Sequence, residues 1–293
     1  MDKEKRPAAK RPEQEERKQV KTMHDIQNIE QKAREIRRNI VRMVGKAGSG
    51  HPGGSLSCAD LVAALYFDVM NIDPQNPQWE DRDRFVMSKG HACPALYAAL
   101  AMKGYFPMEE LEHLRELGAM LQGHPYSGKT PGVDVSTGSL GQGLSVANGI
   151  ALGGRLDGKD YYVYCLMGDG EIEEGQVWEA AMSAVHYKLD HVIGFVDHNH
   201  LQIDGTIEDV IGNVNIGGKF AAFGWNVLTV DGHNAAEILD AIEQAKATKG
   251  MPTMIVLNTV KGKGVSYMEN QVGWHGKAPS AELVAQALKD LGE

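Results

Sequence analysis

Cysteine is scarce in this sequence: Cys58, Cys93 and Cys165 are the only three thiols among 293 residues. Their number is odd, no two form a CxxC pair, and each lies among apolar or small residues. That excludes a disulfide framework, argues against a zinc site and suits buried thiols in a reducing cytoplasm. Long apolar runs are also missing. None approaches the ~18 residues a helix needs to cross a bilayer, so no segment reads as membrane-spanning. Positive charge is in deficit, with 30 Lys and Arg against 39 Asp and Glu, a net −9, which argues against non-specific nucleic-acid binding by the body of the chain. What basic excess exists is confined to residues 1–22, with eight Lys and Arg and five acids, leaving −12 for residues 23–293. With almost no large aliphatics, this stretch reads as a flexible, charged, solvated tail. It has no apolar core of a secretory signal, and its acids count against an organelle transit peptide, although a basic address remains open.

What is present is a chain long enough for one large α/β domain or two small ones. Apolar residues Ile26, Ile29, Ala33, Ile36, Ile40 and Met43 recur at steps of three and four, which predicts a helix over 25–44 ended by Gly45. A Gly/Ser turn carrying His51 follows, then a buried helix over 57–70, a short apolar run at 84–87 and a helix over about 94–102. Residues 119–138 form a Gly- and Pro-rich loop too long to be an idle connection. Beyond it a helix is expected over 139–156, with Gly141, Gly143, Gly149 and Gly153 permitting close packing. Strand-like runs at 161–167, 192–197, 225–230 and 253–258 alternate with helical segments at 175–187 and 235–248. A last short helix covers ELVAQALKDL. Strands without polar alternation, separated by helices, give the fold class α/β: a mostly parallel sheet with helices on both faces.

At residues 167–176, MGDGEIEEGQ, an apolar run stops at one carboxylate between two glycines. Ligands of open parallel sheets bind beyond the carboxyl ends of the strands, and Asp169 follows such a strand directly. Thirty residues on, the next strand ends in Asp197-His198-Asn199. One βαβ unit therefore brings Asp169 and Asn199 to the same rim as two hard oxygen donors. Mg²⁺ or Ca²⁺ takes such ligands, and Mg²⁺ is typically shared with the phosphates of a bound molecule. Gly168 and Gly170 would let the backbone approach an anion, with the helix near Glu174 pointing its N–H groups at it. Taken alone, the tripeptide also fits a plain strand-to-helix turn with Asp as N-cap. Asn199 at the end of the adjacent strand favours the metal–diphosphate reading.

GDGEIEEG followed by DHNHLQIDG resembles the cofactor motif of transketolases. The resemblance extends, in order, through GSGHPGGS, DRFVMSKGHACPALY, GHPYS, STGSLGQGLS, VKGKGVSYMEN and WHGKAP, from about residue 25 to 285. It implies a thiamine-diphosphate-binding fold over residues 23–293, the diphosphate-binding domain. It also implies a cation, Mg²⁺ with Ca²⁺ as a possible substitute, on Asp169, Asn199 and the carbonyl of Leu201. Diphosphate contacts fall on His91, Gly170, Lys261 and His275. Gly138, Ser139 and Leu140 would cradle the aminopyrimidine and thiazolium, and Ile203 would pack under the ring. For Leu140 and Ile203 an ordinary core position is the alternative. His51, His124 and His275 would line the substrate channel and move protons. Gly54 departs from the serine of the animal-type members, so a hydroxyl contact is lost or supplied by water. Glu174 and Glu179 match acids at a subunit boundary, or simply suit a helix N-terminus. Glu171 and Glu173 need only be solvated, and His24, His113, His186, His191, His198, His200 and His233 receive no role beyond surface or structure.

Single-chain transketolases also carry pyrimidine-binding and C-terminal domains, with the glutamate that activates the cofactor. The resemblance therefore implies an N-terminal subunit of a split, cytoplasmic transketolase, with those domains on a C-terminal partner subunit, in an α₂β₂ assembly. Its reaction would move a two-carbon ketol group from a ketose phosphate to an aldose phosphate, as in the pentose phosphate pathway. Alternatives are a specialised enzyme for an unusual sugar or sulfo-sugar phosphate, a subunit of another thiamine-diphosphate enzyme, or a non-catalytic cofactor-binding protein.

Overall fold

The computed structural model describes residues 24–293, so the charged segment 1–22 lies outside the described residues. Five strands, β1 (Arg84–Met87), β2 (Val163–Gly168), β3 (Val192–His198), β4 (Asn226–Asp231) and β5 (Thr253–Asn258), form one sheet in the order β1-β2-β3-β5-β4. Every pairing is parallel. Alternate side chains of each strand point to opposite faces, and both faces are covered. Tyr164, Leu166, Ile193, Phe195, Ile255 and Leu257 enter one core with α1 (Ile26–Ala47), α3 (Ala59–Ala64), α4 (Cys93–Lys103) and α9 (Ala235–Ala247). Val163, Cys165, Met167, Val192, Val196 and Met254 enter the other with α5 (Gly143–Leu156), α6 (Gly175–His186) and α8 (Ile216–Ala222). Truncating the fully buried Phe195 to Ala would cost roughly 3–5 kcal/mol.

Helix α1 begins where Asp25 caps the amide of Asn28 at 3.1 Å, and its expected stripe is buried from Ile29 to Met43, with Ile26 half-buried. It does not stop at Gly45; it runs to Ala47 and closes at Gly48, whose φ of 61° is left-handed. Gly45 answers to packing instead. A Cβ there would stand 2.3 Å from Cγ2 of Val284 on α10 (Ala281–Asp290), so glycine lets the last helix lie against the first. The turn expected around His51 is also shorter than predicted, because Pro52 opens α2 (Pro52–Ser57). Proline's fixed φ suits a first helical position. The segment 57–70 is divided, with α3 passing into a π turn over Leu65–Val69.

Residues 119–138 contain neither helix nor strand and run close to the carboxyl edge, tied down by Tyr97 OH on Gln122 O (2.9 Å) and Thr137 Oγ1 on Met87 O (2.8 Å). Helix α5 starts at Gly143, four residues later than expected, after Gly141 turns the chain at φ 82°. Gly143 is needed for close approach, since a Cβ there would fall 2.2 Å from Ser88 Oγ, whereas Gly149 and Gly153 face open space. Short helices α7 (Ile207–Val210) and α8 were not expected; the Gly217-Gly218 pair disguises α8, which forms because Ile216 and Phe220 bury themselves.

Candidate active site

Because all five strands are parallel, Met87, Gly168, His198 and Asn258 end on one edge, and the residues that follow them meet there. Asp169 leaves β2 buried, 2% exposed. Its carboxylate accepts from the amides of Gly170 (2.9 Å) and His200 (2.7 Å), with His198 Nδ1 at 3.3 Å. Asn199 leaves β3; its Oδ1 accepts from Leu201 N at 3.2 Å and its Nδ2 donates to Asp197 at 3.3 Å. Leu201 O accepts from Lys261 Nζ at 3.0 Å, and the same Nζ stands 2.9 Å from His275 Nδ1. Burial pushes Lys261 down to about 8, with the Asp169 charge opposing that shift.

These donors line one cavity of about 320 Å³, together with His91, Leu140 and Ile203. A larger surface groove of about 570 Å³, between α1, residues 108–112 and α10, contains none of them. Among the described residues no group of three His, Cys, Asp or Glu could hold a metal ion. A cation here would have one carboxylate, one amide oxygen and one carbonyl from the chain, and would complete its shell from a ligand and water. That donor set is hard and suits Mg²⁺. Each of the three oxygens carries a second lone pair beyond its present hydrogen bond, and the Leu201 carbonyl already faces a positive charge, the Lys261 ammonium. The residues fit the ion.

Beneath the rim lies a buried ion pair, Lys89 with Asp197, at 1% and 0% side-chain exposure. Burial would lower Lys89, but the charge and hydrogen bond of Asp197, with Cys58 and Asp169 nearby, together raise the lysine; burial likewise opposes the carboxylate of Asp197, which Lys89, Ser57 and Thr259 together hold below the usual range. Ser57 Oγ (2.5 Å) and Thr259 Oγ1 also donate to Asp197.

The second half of the site is a histidine cluster. Ring centroids lie 5.3 Å apart for His51–His91, 5.5 Å for His51–His275, 5.1 Å for His91–His275 and 6.4 Å for His51–His124. Burial is the first cause of every shift in this group. It lowers His51 from the usual 6.5 to about 4 and His275 to about 3. His91 falls well below its ordinary value, and His124 is lowered too. Neighbouring cations add to it: Arg115 beside His51 and His124, Lys261 beside His275, Lys89 beside His91. All four imidazoles are therefore neutral near pH 7, able to donate and accept.

A family model described as the transketolase thiamine diphosphate binding domain matches residues 29–293. The chain belongs to that family. Over 90% of its length and 96% of the relative, it is 48% identical to a 6-deoxy-6-sulfo-D-fructose transketolase subunit of Clostridium sp. (strain MSTE9). It is 42% identical to an apulose-4-phosphate transketolase subunit of Phocaeicola vulgatus, over 92% of this chain and 95% of that one. The solved transketolase of Leishmania mexicana superposes with a TM-score of 0.85 at 37% identity, covering 90% of this chain but 41% of its own. The chain thus spans less than half of that solved transketolase and nearly all of those two subunits.

Within this transketolase domain, the residues singled out from the sequence do converge: Asp169, Gly170, Asn199, Leu201, Lys261, His91 and His275 share the cavity. His51 and His124 stand in the ring cluster beside it, and a Cβ on Gly138, at φ 140°, would meet His124 Cδ2 at 3.1 Å. Ser139 is exposed. Leu140 and Ile203 are 37% and 66% exposed and join neither hydrophobic core, which removes the ordinary-core alternative. Gly168 and Gly170 both line the cavity, but only Gly170 is tight, with a Cβ there 3.2 Å from Gln202. A Cβ on Gly54 would find ordinary contact, 3.4 Å from His91 Nε2. Glu174, the N-cap of α6, and Glu179 are exposed.

Glu171 corrects the expectation that it is merely solvated. It is 3% exposed and accepts from the amides of Gly141 and Gly168, each at 3.0 Å, and from Ser88 Oγ. Burial raises its pKa despite those bonds. It staples the turn before α5 to the GDG segment and to β1. Lys89, Asp197 and Arg115 were missed as well. Arg115 reaches His51 Nδ1 at 3.4 Å and Ser49 Oγ at 3.1 Å. The one signal in the sequence was Asp197 at the end of an otherwise apolar strand, a charge that needed a buried partner.

Proposed function

We propose that this chain is the diphosphate-binding subunit of a two-subunit transketolase that transfers a ketol unit between sugars, one of them a sulfo-sugar. The observation supporting it is that Asp169, Asn199 and Leu201 line one cavity with His91 and His275, and that Lys261 Nζ bridges Leu201 O and His275 Nδ1. In this reading Asp169, Asn199 and the Leu201 carbonyl hold Mg²⁺. Gly170, His91, His275 and Lys261 contact the diphosphate, and Gly138, Ser139, Leu140 and Ile203 flank the cofactor's rings. When bound, thiamine diphosphate supplies the carbanion stabilisation that C–C cleavage beside a ketone requires.

The chain's own residues bind and handle protons. His51 and His124, neutral at working pH, hydrogen-bond the donor sugar's hydroxyls, and either ring nitrogen can take or give a proton as the ketol unit leaves and is passed on. His275 shares that role because it stands between the ring cluster and Lys261. Leu140 and Ile203 keep water from the reacting face. Glu174 and Glu179, both exposed, are free to meet a partner subunit in an α₂β₂ assembly. The three buried thiols suit a cytoplasmic enzyme.

The preference for a sulfo-sugar rests on 48% identity to a 6-deoxy-6-sulfo-D-fructose transketolase subunit, against 42% to the apulose-4-phosphate relative. The deciding experiment combines the chain with its C-terminal partner, thiamine diphosphate and Mg²⁺. Ketol transfer is then assayed from 6-deoxy-6-sulfo-D-fructose, apulose 4-phosphate and common ketose phosphates. Transfer requiring both subunits, fastest from the sulfo-sugar, is expected. Transfer by this chain alone would refute the two-subunit reading, and faster transfer from a ketose phosphate would return it to the pentose phosphate type.

A further inference from the structure

The turn Asp231-Gly232-His233 after β4 lies against the end of β5. A Cβ on Gly232 would stand 2.4 Å from Thr259 Cγ2 and 3.0 Å from Leu257 Cβ, and Gly232 N donates to Asn258 O at 2.8 Å. This approach sets the His233 side chain, 12% exposed, beside the backbone that leads to Lys261. Val260 N donates to His233 Nε2 at 2.8 Å, and Nδ1 is 2.7 Å from Asp60 Oδ2. A backbone amide can only donate, so Nε2 is bare and Nδ1 carries the proton it gives to Asp60. Asp60 is gripped in turn by Arg37, Nη1 on Oδ1 at 3.1 Å and Nη2 on Oδ2, while Arg37 Nε donates to Leu56 O at 3.2 Å. Burial works against the Asp60 carboxylate, but the Arg37 charge and the hydrogen bonds from His233 and Arg37 together hold it below the usual range. Side chains on α1 and α3, with the Val260 amide, thus hold one imidazole on the β4–α9 turn in one tautomer and one orientation.

We propose that His233 is the positioning residue for Lys261, acting through the Val260 amide. Three backbone amides of the turn after β5 donate across to other segments, Thr259 N to His198 O (3.1 Å), Val260 N to His233 and Gly262 N to Gly53 O (3.0 Å), while Thr259 Oγ1 donates to Asp197 and Lys261 O accepts from Asn270 N at 2.9 Å. His233 is the one side chain among these three acceptors, so it can be altered without touching the backbone. Between the second and third of these amides Lys261 projects to Leu201 O and His275. His233 does not itself line the cavity. The inference rests on Lys261 belonging to the diphosphate side of the site, and its test separates the two ideas.

Two variants of the full chain divide the imidazole's functions. His233→Gln puts an acceptor where Nε2 stands; His233→Asn keeps a donor toward Asp60 and leaves Val260 N unpaired. Amide exchange of the peptide spanning residues 257–264 is measured without cofactor, and thiamine diphosphate affinity is measured with Mg²⁺. The Asn variant should exchange about tenfold faster in that peptide alone and bind the cofactor about tenfold more weakly, while Gln stays near wild type. Equal behaviour of the two variants, or acceleration spread across the whole sheet, would overturn the proposal. Local acceleration by Asn with unchanged cofactor affinity would uphold the positioning of the segment and remove Lys261 from the cofactor site instead.

Discussion

The two ends of the site treat buried charge in opposite ways. At the Asp169 end, carboxylates sit at 0–2% exposure yet have partners: Asp169 has two backbone amides, Asp197 has Lys89, Ser57 and Thr259. At the histidine end, rings from four separate segments crowd together near Arg115, Lys89 and Lys261 with no carboxylate among their hydrogen-bond partners, and burial makes them neutral. Desolvation is the first cause acting on Asp197 as it is on the histidines. Whether a partner was supplied decides if the group stays charged. The proposed function, a bound cation beside groups that move protons, would need both outcomes side by side.

Removing a partner should hurt most where a charge depends on it. Lys89→Met leaves the Asp197 carboxylate buried without its counter-ion, and urea unfolding should show a loss of about 3–5 kcal/mol. A loss below about 1 kcal/mol would mean that the hydroxyls of Ser57 and Thr259 suffice, and the contrast between the ends would weaken. Asp169→Ala should weaken Mg²⁺-dependent thiamine diphosphate binding by more than ~100-fold, above the usual effect of an outer-shell partner. Titration calorimetry checks the affinity and circular dichroism the intact fold.

The histidine end predicts a pH effect of opposite character. His51 titrates near 6.5 when unfolded and at about 4 when folded, so the unfolded chain takes up the proton first. Stability from this group is intact above 6.5 and is lost as pH falls from there toward 4. His51→Gln should therefore lose less stability than wild type between pH 7 and about 4.5, read as the difference between their denaturation midpoints. The smallest effect belongs to Ile203→Ala. With the side chain 66% exposed, stability should stay within about 0.5 kcal/mol, while cofactor affinity falls about fivefold. Unchanged affinity would exclude Ile203 from the ring-packing surface.

Much of this was legible in the residues. Strands without alternation announced a sheet covered on both faces, and Asp169 and Asn199, one βαβ unit apart, could be placed on one rim by strand period alone. Motif segments carried His51, His91, His124, His275 and Lys261. Less legible were features that depend on a neighbour distant in sequence. Gly45 reads as a helix stop until Val284 is seen against it. Glu171 reads as a solvated acid until the amides of Gly141 and Gly168 close on it. Lys89 and Asp197 are 108 residues apart, and His233 and Asp60 are 173 apart.

Period, punctuation and chain order are local, so the sequence by itself determined the layers of this protein, the edge at which its chemistry gathers and which oxygens stand there. Partnership is not local. Which buried groups remain charged, which histidines turn neutral and which turn steadies Lys261 were decided only when the tertiary fold removed water and chose what replaced it.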